Sequence, residues 1–492
     1  MRRSTQRRFV HLGLLAATIG VAAPVALAKP SGGGIRCTGA DTPPLSFGER
    51  VYVDRERAGG EPVSVVAQDG SITVSTHAGT THAYKDPQSI ARGSGDFLNG
   101  YTNQTLNWRS IDGGNSWRFV GSAGTQSGPH SPTSSGFSDP DLTMDAAGNL
   151  YNTEINLANV AVFASPDDGK SWPIANPVAS SGDRPWVTGG EAGEVYLYVN
   201  APKQLLRSTD RGVTFSLVST SFPADGKLII DPLNPESGLI GPISSGGAAI
   251  SADKGKTWEA YESAFASSTQ FFGVIAVDKA GNIYAASAGG YLGAGDEEAD
   301  GAVEFNYFDR KTKEWLPEPI SIPIPKGDAM WPWLIAGDDG RVAVVWYQNM
   351  AGAPEKFYAM AAYTMNGSGS VETCRDAAGT VLSSKKVPPR FAVANASKKP
   401  IHDGPICLSG TGCNGATDFR KGDRRLGDFF TVNFDHTGRL FIVSADTSLR
   451  GPGGVPKLVS NPIFIKQKTG GRMLAKPTEL RPSRCLFPLE TC

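Results

Sequence analysis

An eight-residue pattern, Ser-x-Asp-x-Gly-x-x-aromatic, occurs four times and restricts the fold of this chain more than any other feature. The aspartates of successive copies are 55, 43 and 43 residues apart. A decayed fifth copy runs from Phe308 to Trp315. Repetition at roughly 40–50 residues is typical of β-propellers and other repeat proteins. The aspartates of the four octets are Asp112, Asp167, Asp210 and Asp253.

The octet itself predicts a turn between two strands. Its Asp carboxylate can accept hydrogen bonds from turn amides, and its Gly supplies a positive φ. The terminal aromatic residue is expected to fold back and bury the hairpin. Because every copy repeats the same arrangement, whereas a catalytic acid is needed only once, we assign the four aspartates a structural role.

A second repeat, an apolar strand followed by an Asp/Gly turn and another apolar strand, alternates with the octets and predicts hairpins. One such hairpin followed by strand–octet–strand makes a four-stranded propeller blade. We therefore predict an all-β fold, a single propeller over residues 59–470, with seven blades favoured. Six blades is the alternative if the hairpin at Pro62 packs outside the ring. The hairpins cover residues 62–74, 142–151, 186–198, 228–240, 274–284, 333–346 and 430–442.

The N-terminus has the composition of an export signal. Residues 1–28 combine a basic head, a short apolar run and the small-x-small sequence Ala26-Leu27-Ala28. Arg7-Arg8 resembles a twin-arginine signal, and Sec export is the alternative. We expect a secreted, periplasmic or cell-surface protein.

The remaining segments lie outside the predicted blades. Residues 29–58 are expected to form an N-terminal extension, and residues 471–492 a cysteine-containing tail that helps to close the last blade. The Gly/Ser/Lys-rich stretch 352–427 is predicted to be an insertion between the last two blades.

Six cysteines in an exported chain are consistent with up to three disulfides. Short spacings favour Cys407–Cys413 and Cys485–Cys492, and elimination then leaves Cys37 with Cys374. This is one of fifteen pairings. Zinc is the competing interpretation, but no Cys-x-x-Cys occurs.

Composition limits the partners. Lys and Arg total 47 against 48 Asp and Glu, so no basic excess favours nucleic acid. No apolar stretch after the signal is long enough to span a bilayer. We expect an extracellular glycan or glycoconjugate as partner, a monomer, and no cofactor or metal. Ca²⁺ at the acidic loop Asp296–Asp300 is an alternative, with a solvated loop favoured.

The octets, together with the runs Asp183–Trp186, Cys407–Cys413 and Leu426–Phe430, resemble the sialidase superfamily and exported bacterial BNR-repeat proteins. The resemblance implies a propeller glycosidase that binds a sugar carboxylate with three arginines and uses an Asp acid/base with a Tyr–Glu nucleophile. The Phe-Arg-Ile-Pro signature of that family is absent, and sialidases have six blades. No arginine triad can therefore be transferred.

Candidate site residues follow from position, because the innermost strands and the loops that lead into them line a propeller's channel. We assign catalytic roles to Asp139, Asp183, Arg184 and Tyr347. The substrate-binding candidates are Trp186, Trp331, Trp333, Arg424, Arg425 and Asp428; Asp141, Asp225 and Asp328 occupy matching positions.

The alternative is that these residues start strands, pack between blades or, for Tyr347, lie buried in a strand.

Two functions remain open. The first is a glycoside hydrolase of the exo-sialidase type that acts on terminal sugars of extracellular glycans. A lyase or other hydrolase with its site at the same mouth of the central channel cannot be distinguished from it by sequence. The second is a non-catalytic propeller that binds glycan or protein at the cell surface.

Overall fold

The structure is a computed structural model that describes residues 35–39, 42–77, 105–122, 138–155, 159–180, 182–244, 246–263, 265, 272–293, 296, 298–413 and 422–485. The predicted export signal lies outside the described residues. The part of the chain that the structure describes contains no helix with the length and apolar character that a membrane span requires.

Seven antiparallel sheets of four or five strands follow one another along the chain, which confirms the favoured seven-bladed fold. Blade one comprises Gly60–Val66, Ile72–His77, Thr105–Ser110 and Arg118–Ser122. Blade two comprises Ser138–Met144, Leu150–Ile155, Asn159–Ser165 and Ile174–Ser180. Blade three comprises Asp183–Gly189, Val195–Ala201, Gln204–Ser208 and Ser216–Ser219, and blade four comprises Ile229–Ile230, Leu239–Pro242, Ala248–Ser251 and Glu259–Tyr261.

The later blades carry additional short strands. Blade five comprises Ile275–Val277, Ile283–Gly289, Ala302–Asp309, Glu314–Trp315 and Ile320–Ser321. Blade six comprises Ala329–Ala336, Val342–Met350, Ala353–Thr364, Ala392–Asn395 and His402–Asp403. Blade seven comprises Thr431–Phe434, Leu440–Asp446, Asn461–Thr469 and the N-terminal strands Ser46–Phe47 and Val51–Tyr52. Two short 3-10 turns, Gly410–Cys413 and Pro452–Gly454, interrupt the loops.

Adjacent blades bury each other's faces, so middle strands are apolar on both sides. Val342–Met350 is an example, since its first eight residues are all buried. The innermost strands of blades seven and one lie side by side, which closes the ring. Blades four and five are joined by an ion pair of Arg310 with Asp231 at 2.8 Å.

The ring is closed by the N-terminal extension, not by the tail. Ser46 and Phe47 pair with Thr469 and Gln467, and Val51 pairs with Phe464. The prediction that the tail completes the last blade is wrong because Asn461–Thr469 already has its outer neighbour. The extension 29–58 therefore contributes strands to the propeller.

The C-terminal tail instead runs across the turns of four blades. The amides of Ala475, Thr478 and Arg481 donate to residues in the turns of blades six, seven and one. Arg484 then reaches blade two, where its Nε lies 2.9 Å from an Asp168 carboxylate oxygen. The tail is thus a strap on the turn face of the ring.

The predicted insertion 352–427 is too wide. Its first part, Ala353–Thr364, is the third strand of blade six, and Ala392–Asn395 pairs with that strand. Between them, Ser370–Arg375 and Val381–Val387 form a hairpin, which Arg36–Thr38 joins as a third strand. We call this three-stranded sheet the satellite sheet.

Both predicted disulfides whose two partners are described are present, one favoured by short spacing and the other by elimination. Cys37–Cys374 joins the N-terminus to the satellite sheet, and Cys407–Cys413 closes a loop before blade seven. Cys485 is disulfide-bonded as well, and its predicted partner Cys492 lies outside the described residues.

The four octets form one repeated turn between the third and fourth strands of blades one to four. In the first, Ser110 Oγ donates to Asp112 Oδ1 at 2.8 Å and Ser116 Oγ donates to Asp112 Oδ2 at 2.6 Å. The other three make equivalent contacts. Hydrogen bonds from the side chain and amide of Thr214 lower the pKa of Asp210 to about 2. These carboxylates are therefore fully engaged in their own turns.

The inner hairpin turns link neighbouring blades. Asp278 Oδ2 accepts hydrogen bonds from Tyr284 Oη at 2.7 Å and from the Gly340 amide of blade six at 2.8 Å. In blade two, Asp145 binds Tyr151 and the Gly193 amide of blade three in the same way. Each such carboxylate satisfies buried donors on two blades at once.

We expect Asp278→Ala to lower the free energy of unfolding by about 3–5 kcal/mol, because it leaves buried donors without an acceptor. Asp376→Ala is the matched control, since Asp376 caps an exposed turn of the satellite sheet through the amides of Ala378 and Thr380. Its cost should stay below about 1 kcal/mol. Urea unfolding followed by circular dichroism measures both, and equal losses would contradict the cross-blade role.

Candidate functional site

Four innermost strands begin with the same unusual backbone. Glu61, Asp139, Arg184 and Trp331 have φ values of 48°, 54°, 49° and 51°, and each directly precedes a proline. A positive φ costs a non-glycine residue of order 1–3 kcal/mol and often marks a functional site. Strand pairing skips a register step at these positions in blades one, two and six. In blades one, two and six the innermost strand therefore has a bulge at the residue that precedes the proline.

Carboxylates at the mouth bind the backbone of adjacent blades. Glu61 accepts the amide of Asp139 in blade two at 3.1 Å and the amide of Asp428, which leads into blade seven, at 2.9 Å. Asp139 Oδ2 in turn accepts the amide of Arg184 in blade three at 3.0 Å. The beginnings of four consecutive blades are thereby fixed relative to one another.

Asp183 is the most accessible acid of this group. Its side chain is 56% exposed, and Arg184 Nε lies 3.9 Å from its Oδ2. Burial of part of the carboxyl group, and then the negative charge of Asp139, raise the pKa of Asp183 above that of a free aspartate. Paired carboxylates of this kind allow one group to stay protonated while the other is charged. Asp183 thus combines a raised pKa with access to solvent.

Glu61 is a functional candidate that the sequence analysis missed. It is fully buried, and burial followed by the charge of Asp428 raises its pKa to about 7, against the opposing charge of Arg424. His77 Nε2 lies 3.2 Å from Glu61 Oε2. The signal that could have found Glu61 is its place before Pro62, which matches Asp139-Pro140 and Arg184-Pro185.

A second buried acid, Glu154, lies beside this group. Asn152 Nδ2 donates to Ser75 Oγ at 3.0 Å between blades two and one. Side chains two residues apart on a strand share a face. Glu154 lies two residues after Asn152, and His77 lies two residues after Ser75. Glu154 and His77 therefore occupy matching positions between blades two and one.

Aromatic rings close the channel below the mouth. Trp186 packs against Phe272, Trp333 and Phe429 with ring centroids 5.0–5.8 Å apart. The Arg184 guanidinium lies 5.8 Å from the Phe272 centroid, on the mouth side of this cluster. Trp186 is only 2% exposed, so the predicted stacking of a sugar on its face is wrong in this state; Trp333 is partly exposed.

Beneath the aromatic cluster lies a cavity of about 330 Å³ lined by innermost strands. Asp141 and Lys227 line it and pair at 2.6 Å. The Val187 amide also donates to Asp141 at 2.9 Å. Asp141 therefore braces blades two, three and four below the mouth.

Two predicted site residues lie in the core between blades six and seven. Tyr347 is fully buried, its hydroxyl is 2.9 Å from Ser444 Oγ, and its ring stacks on Phe430. Burial raises its pKa. Trp331 packs against Tyr347 and is 2% exposed. A nucleophile must reach the substrate, so the assignment of Tyr347 is wrong, and Trp331 is a packing residue.

The two consecutive arginines point to different places. Arg424 forms an ion pair with Asp428 at the mouth, and its Nη1 donates to the Gly427 carbonyl at 2.7 Å. Arg425 is held by Asp423 and lies towards the rim between blades six and seven. The structure thus keeps Arg424 and Asp428 beside the mouth and removes Arg425 from it.

The two remaining acids differ in accessibility. Asp225 is half-buried at the start of blade four and lies near Tyr198. Burial and then the negative charge of Asp225 raise the pKa of Tyr198, whereas the positive charge of Arg184 lowers it. Asp328 is buried and bound by both polar groups of Asn349 at 2.7 and 2.9 Å. Asp225 can therefore approach a ligand at the mouth, whereas Asp328 is committed to its turn.

Metal ligation finds no new support. Among the described residues, one group of three potential ligands has its atoms close together, namely Cys37, Glu372 and Cys374, and both of its sulfurs belong to a disulfide. In the acidic loop, Asp296 Oδ2 accepts the Leu292 amide at 2.8 Å, and Glu297 lies outside the described residues.

Comparisons with known proteins identify β-propeller glycosidases among the similar proteins. No protein-family model matches the chain. A curated relative, the xyloglucanase of Hypocrea jecorina, is 27% identical over 228 residues, which is 44% of this chain and 25% of that protein. The chain therefore spans about a quarter of the length of the curated relative that it matches.

Similar solved structures include enzymes of more than one glycosidase type. The GH74 enzyme of Niastella koreensis aligns with 82% of this chain and 59% of its own, at 13% identity and a TM-score of 0.41. A Hadza microbial sialidase aligns with 60% of this chain and 65% of its own, at 14% identity and a TM-score of 0.37. The sialidase type is therefore not singled out, and these values carry no information about site residues.

The raised pKa of Glu61 predicts a pH-dependent stability. The unfolded chain releases this proton near pH 4.5 and the folded protein near pH 7. Between these values the folded state binds more protons, so the free energy of unfolding falls as pH rises, by on the order of 2–3 kcal/mol. We expect Glu61→Gln to flatten this slope in urea unfolding at pH 5 and pH 7.5, with Asp376→Asn as control; an unchanged slope would rule out Glu61 as its source.

Proposed function

We propose that this protein is a glycoside hydrolase that acts on terminal sugars of extracellular glycans, with its active site at the mouth of the channel. The observation that carries the proposal is the Asp139–Asp183 pair beside Arg184, in which Asp183 is accessible and has a raised pKa. Glycosidic cleavage requires a carboxylic acid that protonates the leaving oxygen. The 27% identity to a xyloglucanase supports the same class of reaction.

The roles follow from what each side chain is free to do. Asp183 serves as the proton donor. Its partial burial and then the negative charge of Asp139 raise its pKa, and Asp139 also accepts the Arg184 amide. Arg184 binds an oxygen-rich or carboxylate-bearing sugar, for which a guanidinium fork is suited. Asp225, half-buried near Arg184, is the candidate for the second carboxylate, which acts as base or nucleophile.

The proposal includes the exo-sialidase type because one arginine at the mouth, Arg184, could bind the carboxylate of an acidic sugar. Of the arginines predicted near the mouth, Arg424 is paired with Asp428 and Arg425 faces the rim. An acidic sugar would therefore be held by one arginine at this site. The disulfides support action outside the reducing cytosol.

A second candidate, a non-catalytic glycan-binding propeller, is favoured by a specific observation. The carboxylates of Glu61 and Asp139 accept hydrogen bonds from backbone amides of adjacent blades. Under this alternative the acids at the mouth maintain the ring, and the Arg184 side chain only binds the ligand.

Turnover of aryl glycosides tests the proposal. We expect Asp183→Asn to lower kcat by at least about 100-fold across a panel of neutral and acidic aryl glycosides, because the proton donor is lost. In the wild type, kcat/KM should fall as pH rises through the raised pKa of Asp183. Asp376→Asn, which changes a half-buried carboxylate of the remote satellite sheet, should leave turnover unchanged. A folded wild type that turns over none of the panel would favour the binding propeller.

Substitution of Arg184 tests ligand binding separately from the chemical step. We expect Arg184→Ala to raise KM or Kd by at least about tenfold through the loss of charge-assisted hydrogen bonds, with partial recovery in Arg184→Lys. Titration calorimetry with the best sugar of the panel measures this. Unaltered binding by Arg184→Ala would remove Arg184 from the site under either function.

A further inference from the structure

A second cavity, of about 340 Å³, opens between blades six and seven on the same face as the mouth. Its walls come from loops on that face: the connection into blade seven, the loop after the second strand of that blade, and the beginning of Ala353–Thr364. We call it the rim pocket. The charged residues that line it are Arg50, Lys356, Lys399, Asp403, Arg425 and Arg450.

Two of these arginines are held rigidly. Arg50 Nη1 lies 2.8 Å from an Asp446 carboxylate oxygen and 3.1 Å from the Pro400 carbonyl that it donates to. Arg425 is bound by both carboxylate oxygens of Asp423, and its Nη1 donates to the Lys457 carbonyl. The floor of the pocket is therefore a preorganised pair of guanidinium groups.

The other cations lack such anchors. Lys356, Lys399 and Arg450 are exposed, and none has a carboxylate within ion-pair distance among the described residues. The lining holds five cations against one acid, Asp403; because Asp446 and Asp423 balance Arg50 and Arg425, an excess of two positive charges remains. An anion is the ligand that such an excess favours.

We propose that the rim pocket binds an oxyanion group, a sulfate ester or a carboxylate, carried on a sugar chain. The pocket volume lies in the range of small-ligand sites. The choice of a sugar chain rests on the proposed function, because Arg424 and Arg425 are consecutive and serve the mouth and the rim pocket respectively. A glycan bound at the mouth can extend across this face and place an anionic residue between Lys356, Lys399 and Arg450.

The experiment compares two double variants with the same change of charge. Lys356→Ala/Lys399→Ala removes two exposed cations of the rim pocket. Lys256→Ala/Lys311→Ala is the control, because both lysines are exposed on turns of the opposite face. Titration calorimetry uses a sulfated heparin-type hexasaccharide, a hexagalacturonate, neutral cellohexaose and inorganic sulfate.

We expect the rim double variant to bind the anionic hexasaccharide at least about tenfold more weakly than the wild type, because two charge-assisted contacts are lost. The control should stay within about twofold. Tighter binding of the sulfated chain identifies a sulfate ester as the ligand group, and tighter binding of the uronate chain identifies a carboxylate. Both outcomes support the proposal.

Three results would overturn it: equal affinity of wild type and rim variant for both anionic chains, an equal loss in the control, or inorganic sulfate bound as tightly as the sugar chains. Turnover of neutral aryl glycosides depends on the mouth alone, so the rim variant should retain it. If the wild type lacks this turnover but the rim variant still binds the anionic chains more weakly, the proposed hydrolase function is wrong and the proposed anion site in the rim pocket stands.

Discussion

Mutual burial of blade faces is the constraint on which this structure depends. A four-stranded sheet with apolar middle strands has two faces to cover, and a ring of such sheets covers all of them only when it is closed. Closure rests on backbone pairing of Ser46–Phe47 and Val51–Tyr52 with Asn461–Thr469. The C-terminal strap then ties four blades together on the turn face. The inner hairpin turns of blades two and five add a further coupling to the next blade, through Asp145 and Asp278.

The mouth inherits its geometry from that closed ring. The left-handed residues that begin the innermost strands are strained, and they persist because adjacent blades hold them through carboxylate–amide hydrogen bonds. Glu61 and Asp139 are occupied by this task, whereas the side chain of Asp183 is 56% exposed. Position in the network, more than residue type, therefore separates the carboxylates that support the backbone from Asp183, which we propose as the proton donor.

Sequence reasoning succeeds where structure is local. The octet turns, the seven hairpins and the Cys407–Cys413 pairing each depend on residues close in sequence, and all were predictable. It fails where the answer depends on a distant neighbour. The sequence around Tyr347 alternates as a strand does, but this pattern does not show which residues of the next blade cover the ring. The burial of Tyr347 is visible only from the position of Phe430, on which it stacks. Glu61 carried the same residue-before-proline signal as Asp139, but its bonds to two blades follow from ring closure.

Blade seven unites residues that are far apart in the order of synthesis. Ser46 Oγ lies 2.6 Å from Thr469 Oγ1, at a sequence separation of 423 residues. During synthesis the N-terminal strands therefore emerge long before their partner strand exists, and six blades can form while the ring stays open. Such long-range pairing makes folding slow and leaves edges exposed in the meantime. The pairing of Ser46–Phe47 with Asn461–Thr469 can form only after the strands of the last blade have been synthesised.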